Sequence, residues 1–140
     1  MTHHPKDPTV AEPYLLQKTL GYRITKWQVD LAEVQLDLEE KHMNRNMTPH
    51  GGIYALLLDT ACAFCGSCPP EGQPYRVPQT LSLNTSFLGV PKGQRLICTA
   101  RKIGGGYRNW FAEGEVLDET GTLLCRGSAT LRYLSPKGAS

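Results

Sequence analysis

Asp59 is the only charge in the apolar run GGIYALLLDTACAFCG (51–66). Removing an ionised carboxylate from water without a partner costs on the order of several kcal/mol. At 3.6 residues per turn, Gly52, Ala55, Asp59, Cys62, Ala63 and Gly66 fall along one stripe of a helix. Every neighbour of the acid on its own face is therefore small, which leaves room above the carboxylate that packing alone does not need. The competing reading is a structural Asp bonded to a buried backbone group or a cross-interface arginine. The run opens on Gly51 and Gly52, directly after His50. Unpaired N–H groups at such a helix start, together with the positive end of the dipole, stabilise an oxyanion. Glycine there lets a substrate approach the backbone closely. His50 and Asn44 can supply further donors. Asp59 lies roughly 10–12 Å along the helix from that terminus, so an oxyanion site on one chain and the acid of a second chain could meet across a two-fold interface.

The stretch CAFCGSCPP (62–70) resembles part of an iron–sulfur ligand run. Such a cluster needs a fourth thiolate, and Cys98 and Cys125 sit alone in separate strand-like segments. Cys62 and Cys65 fall on the apolar helix, where free cysteine behaves as a small hydrophobe, and only Cys68 is expected near the surface. His3 and His4 read as part of a solvated tail. No metal and no cofactor is expected.

The elements that must position these groups follow from periodicity. Residues 1–12 read as a disordered arm. EPYLLQKTLG (12–21) reads as a short helix stopped by Gly21. YRITKWQVD (22–30) and LAEVQLDLEE (31–40) alternate apolar and polar as half-buried strands do. A polar connector, 41–50, leads into the long helix 51–66, which lacks a polar face and must be buried on nearly every side. A Pro/Gly-rich loop (67–78) is followed by strand signals at 79–88, 94–103, 107–118 and 122–134, read as a meander. DETG (118–121) is a hairpin turn signal. One sheet covers one face of the helix, so the other face needs a partner, and a dimer is expected.

The 140 residues fit one domain, 1–140. Fifteen basic against thirteen acidic side chains, net +2, give no case for nucleic acid. No stretch reaches the roughly 18–20 apolar residues of a membrane span, and the polar start offers no secretory h-region. Five cysteines, three of them bunched, make a poor disulfide framework. A cytoplasmic location is expected.

The segment HMNRNMTPHGGIYALLLDTACAFCG resembles the H-x-N-x-x-x-x-x-H-G-G-x-x-x-x-L-x-D-x-A motif of PaaI-like hot-dog-fold acyl-CoA thioesterases, matched over residues 42–61. A looser likeness runs over roughly 20–134. The resemblance implies an α+β hot-dog fold: an antiparallel sheet of about six strands wrapped around one long central helix, with a short N-terminal helix. It implies hydrolysis of an acyl-CoA thioester to free acid and CoA, by a homodimer paired into a homotetramer. It assigns Asp59 as nucleophile or general base, Gly51 N–H with His50 as the polariser of the thioester carbonyl, and Asn44 as the group orienting substrate or water. Thr80 stands where such enzymes often carry the Ser or Thr that holds the water. Members usually have a glycine shortly before the HGG, where this chain has Met47-Thr48-Pro49.

CoA carries phosphates, and RKIGGGYR (101–108) offers Lys102 and Arg108 around glycines, Gly105 among them, whose N–H groups could approach a phosphate. A solvated hairpin turn is the plainer reading of that stretch. Gly52, Tyr54 and Leu58, with Leu57 and Phe64, are expected to line the acyl pocket. Nothing separates a phenylacetyl-type ring from a medium alkyl chain. Two other functions fit the same features: a non-catalytic acyl-CoA binding module, and an enoyl-CoA hydratase or dehydratase using His50 and Asp59.

Overall fold

The computed structural model describes residues 3–135. Helix α1 (Leu15–Leu20) ends where Gly21 takes φ 88° and donates its N–H to the Gln17 carbonyl. Strands β1 (Arg23–Gln28) and β2 (Leu31–Asp37) form a hairpin through Asp30, itself at φ 64°. Ala32, Val34 and Leu36 of β2 alternate inward and are fully buried, as the period-two pattern requires. Helix α2 (Gly51–Cys65) follows, then β3 (Pro78–Phe87), β4 (Arg95–Gly105), β5 (Asn109–Asp118) and β6 (Leu123–Tyr133). The six strands make one antiparallel sheet in the order β1-β2-β4-β5-β6-β3, with α2 packed against its inner face.

Two expectations need correction. The last four strands are not a meander: β4, β5 and β6 are, but β3 pairs with β6 at the far edge. The 88–94 connector is longer than hairpin loops allow and contains Pro91, which cannot donate to a ladder. The chain therefore steps across the ends of β6 and β5 before re-entering the sheet. Residues 3–12 are not a disordered arm. Asp7 accepts from both the N–H and the hydroxyl of Thr9, and the His4 ring packs edge-on to Trp27 at 5.7 Å. Residues 1–2 lie outside the described residues. Helix α2 is covered on one side only in the protomer, as expected of a single sheet packed against one of its faces. Tyr54, Leu57, Leu58, Ala61, Cys62 and Cys65 are buried, whereas Gly52 and Asp59 are exposed and Ala55, Leu56, Thr60 and Ala63 half-buried. The open stripe of the protomer is the stripe of small residues that carries the acid, apart from Cys62, which is buried.

The connector before α2 is held by side chains. His42, 1 % exposed, accepts from the Glu39 N–H through Nδ1 and meets the Leu20 carbonyl through Nε2 at 2.7 Å, tying the connector to α1. Its own carbonyl accepts the His50 N–H. Met47 sits at φ 58°, the left-handed region, with its side chain exposed. This is the stretch where relatives of the resembled family usually place a glycine, and the backbone shows why. A β-carbon in that conformation costs about 1–2 kcal/mol. Met47→Gly is accordingly expected to raise stability by about 0.5–1 kcal/mol, because no buried contact is lost and glycine gives back part of the gain as unfolded-chain entropy. Chemical denaturation reads the shift.

Candidate active site

The N-terminus of α2 is capped by His50, whose Nδ1 accepts the Gly52 N–H at 2.8 Å. An accepting Nδ1 carries no proton, so the neutral ring has its proton on Nε2, which faces away from the cap as a free donor. The Gly51 N–H has no acceptor among the described residues. A β-carbon at Gly51 would lie 3.3 Å from the Phe87 ring, so glycine here lets the end of β3 close over the helix start. Two donors, Gly51 N–H and His50 Nε2–H, are thus presented at the positive end of a helix beside the half-exposed ring of Phe87.

Asp59 lies eight residues further along, about 12 Å by helical rise. Its Oδ1 accepts the Thr80 hydroxyl at 2.6 Å, which fastens the acid to β3. Oδ2 has no partner among the described residues, and no cation pairs with the carboxylate. The acid is neither clasped nor buried in its own protomer. On the opposite flank the Tyr22 hydroxyl donates to Tyr14 at 2.6 Å. Burial, then Tyr14 and the Asp59 charge, push the Tyr22 phenol pKa well above its ordinary value, so the Tyr22 hydroxyl stays protonated beside the acid. Beneath Asp59, burial and then its charge push the Cys62 thiol up to about 12, which leaves that sulfur an inert filler.

Of the residues singled out from the sequence, Asp59 and Thr80 are brought together, and His50, Gly51 and Gly52 form the helix start. Asn44 is placed nearby but its Oδ1 is occupied, accepting the N–H groups of Asn46 and Thr48 and the Thr48 hydroxyl; it shapes the connector, and only its amide nitrogen remains for other work. Tyr54 and Leu58 are core residues of the protomer. Tyr54 is buried with no partner for its hydroxyl, and burial pushes its pKa up to about 12. Leu58 fills a gap in the sheet, where a β-carbon at Gly114 or Gly127 would meet its methyls at 3.2 or 3.0 Å. An i, i+4 step from Tyr54 to Leu58 marks one helix face, and that face is the core.

The glycine turn of β4–β5 lies at the opposite end of α2. Gly105 is in a positive-φ bulge packed on Trp110, and Trp110 in turn closes on Gly66. Gly105 shapes the turn, Arg108 projects into solvent, and Lys102 lines a cavity beside Gly66. None of the three is near the Gly51 terminus of its own protomer. The sequence reading missed Phe87, Tyr14 and Tyr22, which reach the site only through sheet pairing and the turn after α1. A cavity of about 710 Å³ on the outer face of the sheet, around Arg101, Glu113 and Arg126, is not lined by Asp59.

No family model matches the chain. The mouse protein acyl-coenzyme A thioesterase 13 is 28 % identical over 98 residues, 69 % of this chain and 68 % of that protein. The 1,4-dihydroxy-2-naphthoyl-CoA hydrolase of Listeria monocytogenes is 28 % identical over 116 residues, 83 % of this chain and 93 % of its own. Among solved structures, a thioesterase family protein from Silicibacter pomeroyi superposes with TM-score 0.76 at 22 % identity, covering 86 % of this chain and 90 % of that one. PaaI of the phenylacetic acid degradation operon of E. coli does so with TM-score 0.75 at 18 % identity, covering 86 % and 84 %.

Proposed function

We propose that this chain, a member of the hot-dog-fold thioesterase family, hydrolyses acyl-CoA thioesters, with Asp59 as nucleophile or general base. The observation that carries the reading is the pairing of a free two-donor helix start with an acid whose one oxygen is fixed by Thr80 and whose other is unengaged. The thioester oxygen would sit against Gly51 N–H and His50 Nε2–H, which strengthen their bonds as negative charge develops on it. Asp59 Oδ2 would attack the carbonyl carbon, or take the proton of the attacking water, with the Thr80 oxygen positioned to accept the water's second hydrogen. CoA thiolate leaves and is protonated from solvent; in the nucleophilic course water then opens the Asp59 anhydride, which releases the free acid and returns the carboxylate.

About 12 Å between Gly51 and Asp59 of one helix is too far for a single carbonyl to touch both. The site therefore requires a second copy, whose α2 start would face this chain's Asp59. Two features of the protomer support such a dimer: the open stripe of α2, and β3 as a sheet edge ten residues long with Leu81 and Phe87 exposed. Pairing of dimers into a tetramer and a place in the cytoplasm belong to the same proposal.

His50 speaks against the dehydratase alternative. A histidine base must offer an unprotonated nitrogen to the substrate, and here that nitrogen is spent on the Gly52 N–H. The test is a hydrolysis screen over aryl and alkyl acyl-CoAs with thiol release followed optically, beside hydration of an enoyl-CoA. Release of CoA from at least one thioester is expected. Tight CoA-thioester binding with no turnover on the whole panel would favour the binding-module alternative and overturn the hydrolase.

A further inference from the structure

At the C-terminal end of α2, a cavity of about 220 Å³ opens between the 66–74 loop, the β1–β2 turn and the β4–β5 turn. Its cations are held in advance of any ligand. The Arg76 guanidinium carbon lies over the rings of both Tyr107 and Tyr133, 3.9 Å from each centre, and the guanidinium donates to the Tyr107 carbonyl. Lys102 sits 5.5 Å from the Trp110 ring and donates to the Tyr133 hydroxyl at 3.4 Å. That hydroxyl donates in turn to the Gly66 carbonyl at 2.6 Å. With two rings packed against the guanidinium carbon, its N–H donors are what it can offer a ligand, and one of those is used.

Neither Arg76 nor Lys102 belongs to an ion pair among the described residues, although seven other pairs are formed. Asp30 is the one acid on the lining, and its carboxylate reaches neither cation within ion-pair distance. Two oriented cations against one acid leave the cavity positive. An arginine edge plus an ammonium is the donor set that takes a phosphate, the first by its fork and the second as a point charge. At about 30 Å³ per water the cavity holds roughly seven waters, enough for a phosphate group and too little for a whole CoA.

We propose that this cavity binds the phosphate monoester of CoA, through Arg76 and Lys102. The inference rests on the acyl-CoA reading above, and it moves the phosphate contact from Arg108, which lines no part of the cavity, to Arg76. Gly66 lies seven residues beyond Asp59, about 10 Å by helical rise. A CoA with its thioester at Asp59 would lay its tail toward this end of the helix.

The test is calorimetric binding of CoA, 3′-dephospho-CoA and inorganic phosphate to wild type, Arg76→Leu and Lys102→Met, with thermal melts of each. CoA itself is unreactive here, so binding is read without turnover. Wild type is expected to prefer CoA to dephospho-CoA by about tenfold or more, as charge-assisted bonds to one phosphate imply. Each variant should bring that ratio near one, and added salt should lower it. If Arg76→Leu melts early because its aromatic stack is lost, Lys102→Met still reads the ratio. Equal binding of the two CoA forms by wild type, or equal weakening of both by Lys102→Met, overturns the assignment. Inorganic phosphate held through Arg76 by a protein that does not distinguish the two forms would make this a site for free phosphate, and also overturns it. Failure of the acyl-CoA reading looks different: neither CoA form binds at all.

Discussion

Asp59→Asn is expected to lower kcat by about a thousandfold or more, while Tm and CoA affinity stay close to wild type. The substitution is isosteric, and the amide oxygen can still accept the Thr80 hydroxyl that Oδ1 accepts now, so β3 stays fastened to α2. Because Asp59 is exposed in the protomer and has no cationic partner, the loss of its charge leaves no buried ion unpaired. What disappears is chemistry: an amide neither attacks a carbonyl nor takes a proton, and a positioned base alone is worth about 10²–10⁴ in rate. Thr80→Val should act more mildly, since it frees the carboxylate to rotate without removing it. Steady-state kinetics on the best substrate of the acyl-CoA screen, with melting curves beside them, decide the matter. An Asn variant that hydrolyses at the wild-type rate removes Asp59 from the mechanism. A variant that loses activity together with its melting transition makes the acid structural.

Much of this site is local in the chain, and that is why it could be read. The cap, the two glycines and the acid all lie on one helix, where 3.6-residue periodicity converts spacing into direction. The same periodicity gives the small-residue stripe, which apart from buried Cys62 lies open in the protomer. What was not legible is long-range. Thr80 meets Asp59 because β3 runs at the sheet edge beside α2, a pairing set by a connector that declines to turn back. Tyr54 and Leu58 read as pocket residues because apolar side chains on a helix look alike in sequence, whether they face a ligand or the glycine gap of a sheet. Arg76 gave no signal inside a proline-rich loop. Its role comes from Tyr107 and Tyr133, thirty and more residues away.

Gly66→Ala is expected to destabilise the protein by about 2–3 kcal/mol, out of proportion to one methyl group at a helix end. A β-carbon there would lie 2.2 Å from Cη2 and 2.5 Å from Cζ2 and Cζ3 of Trp110. Trp110 cannot yield, being fully buried and stacked on Tyr133 at 5.4 Å. Overpacking against a fixed ring typically costs about 1–3 kcal/mol. The Tyr133 ring also packs against the Arg76 guanidinium carbon, so the strain should reach the 220 Å³ cavity, and CoA affinity should fall with stability. The cause can be separated from a generic helix-end effect with Trp110→Phe. That change deletes the three colliding atoms and also the indole N–H, which is buried without a partner. Trp110→Phe alone should cost stability through the volume it vacates, but in the Gly66→Ala background it should restore stability, giving a coupling of about 1–3 kcal/mol between neighbours in contact. Denaturant melts of the four proteins in the cycle measure it. Strictly additive effects would mean that the helix end relaxes away from the indole, and that Trp110 does not transmit the position of α2 to the cavity beside it.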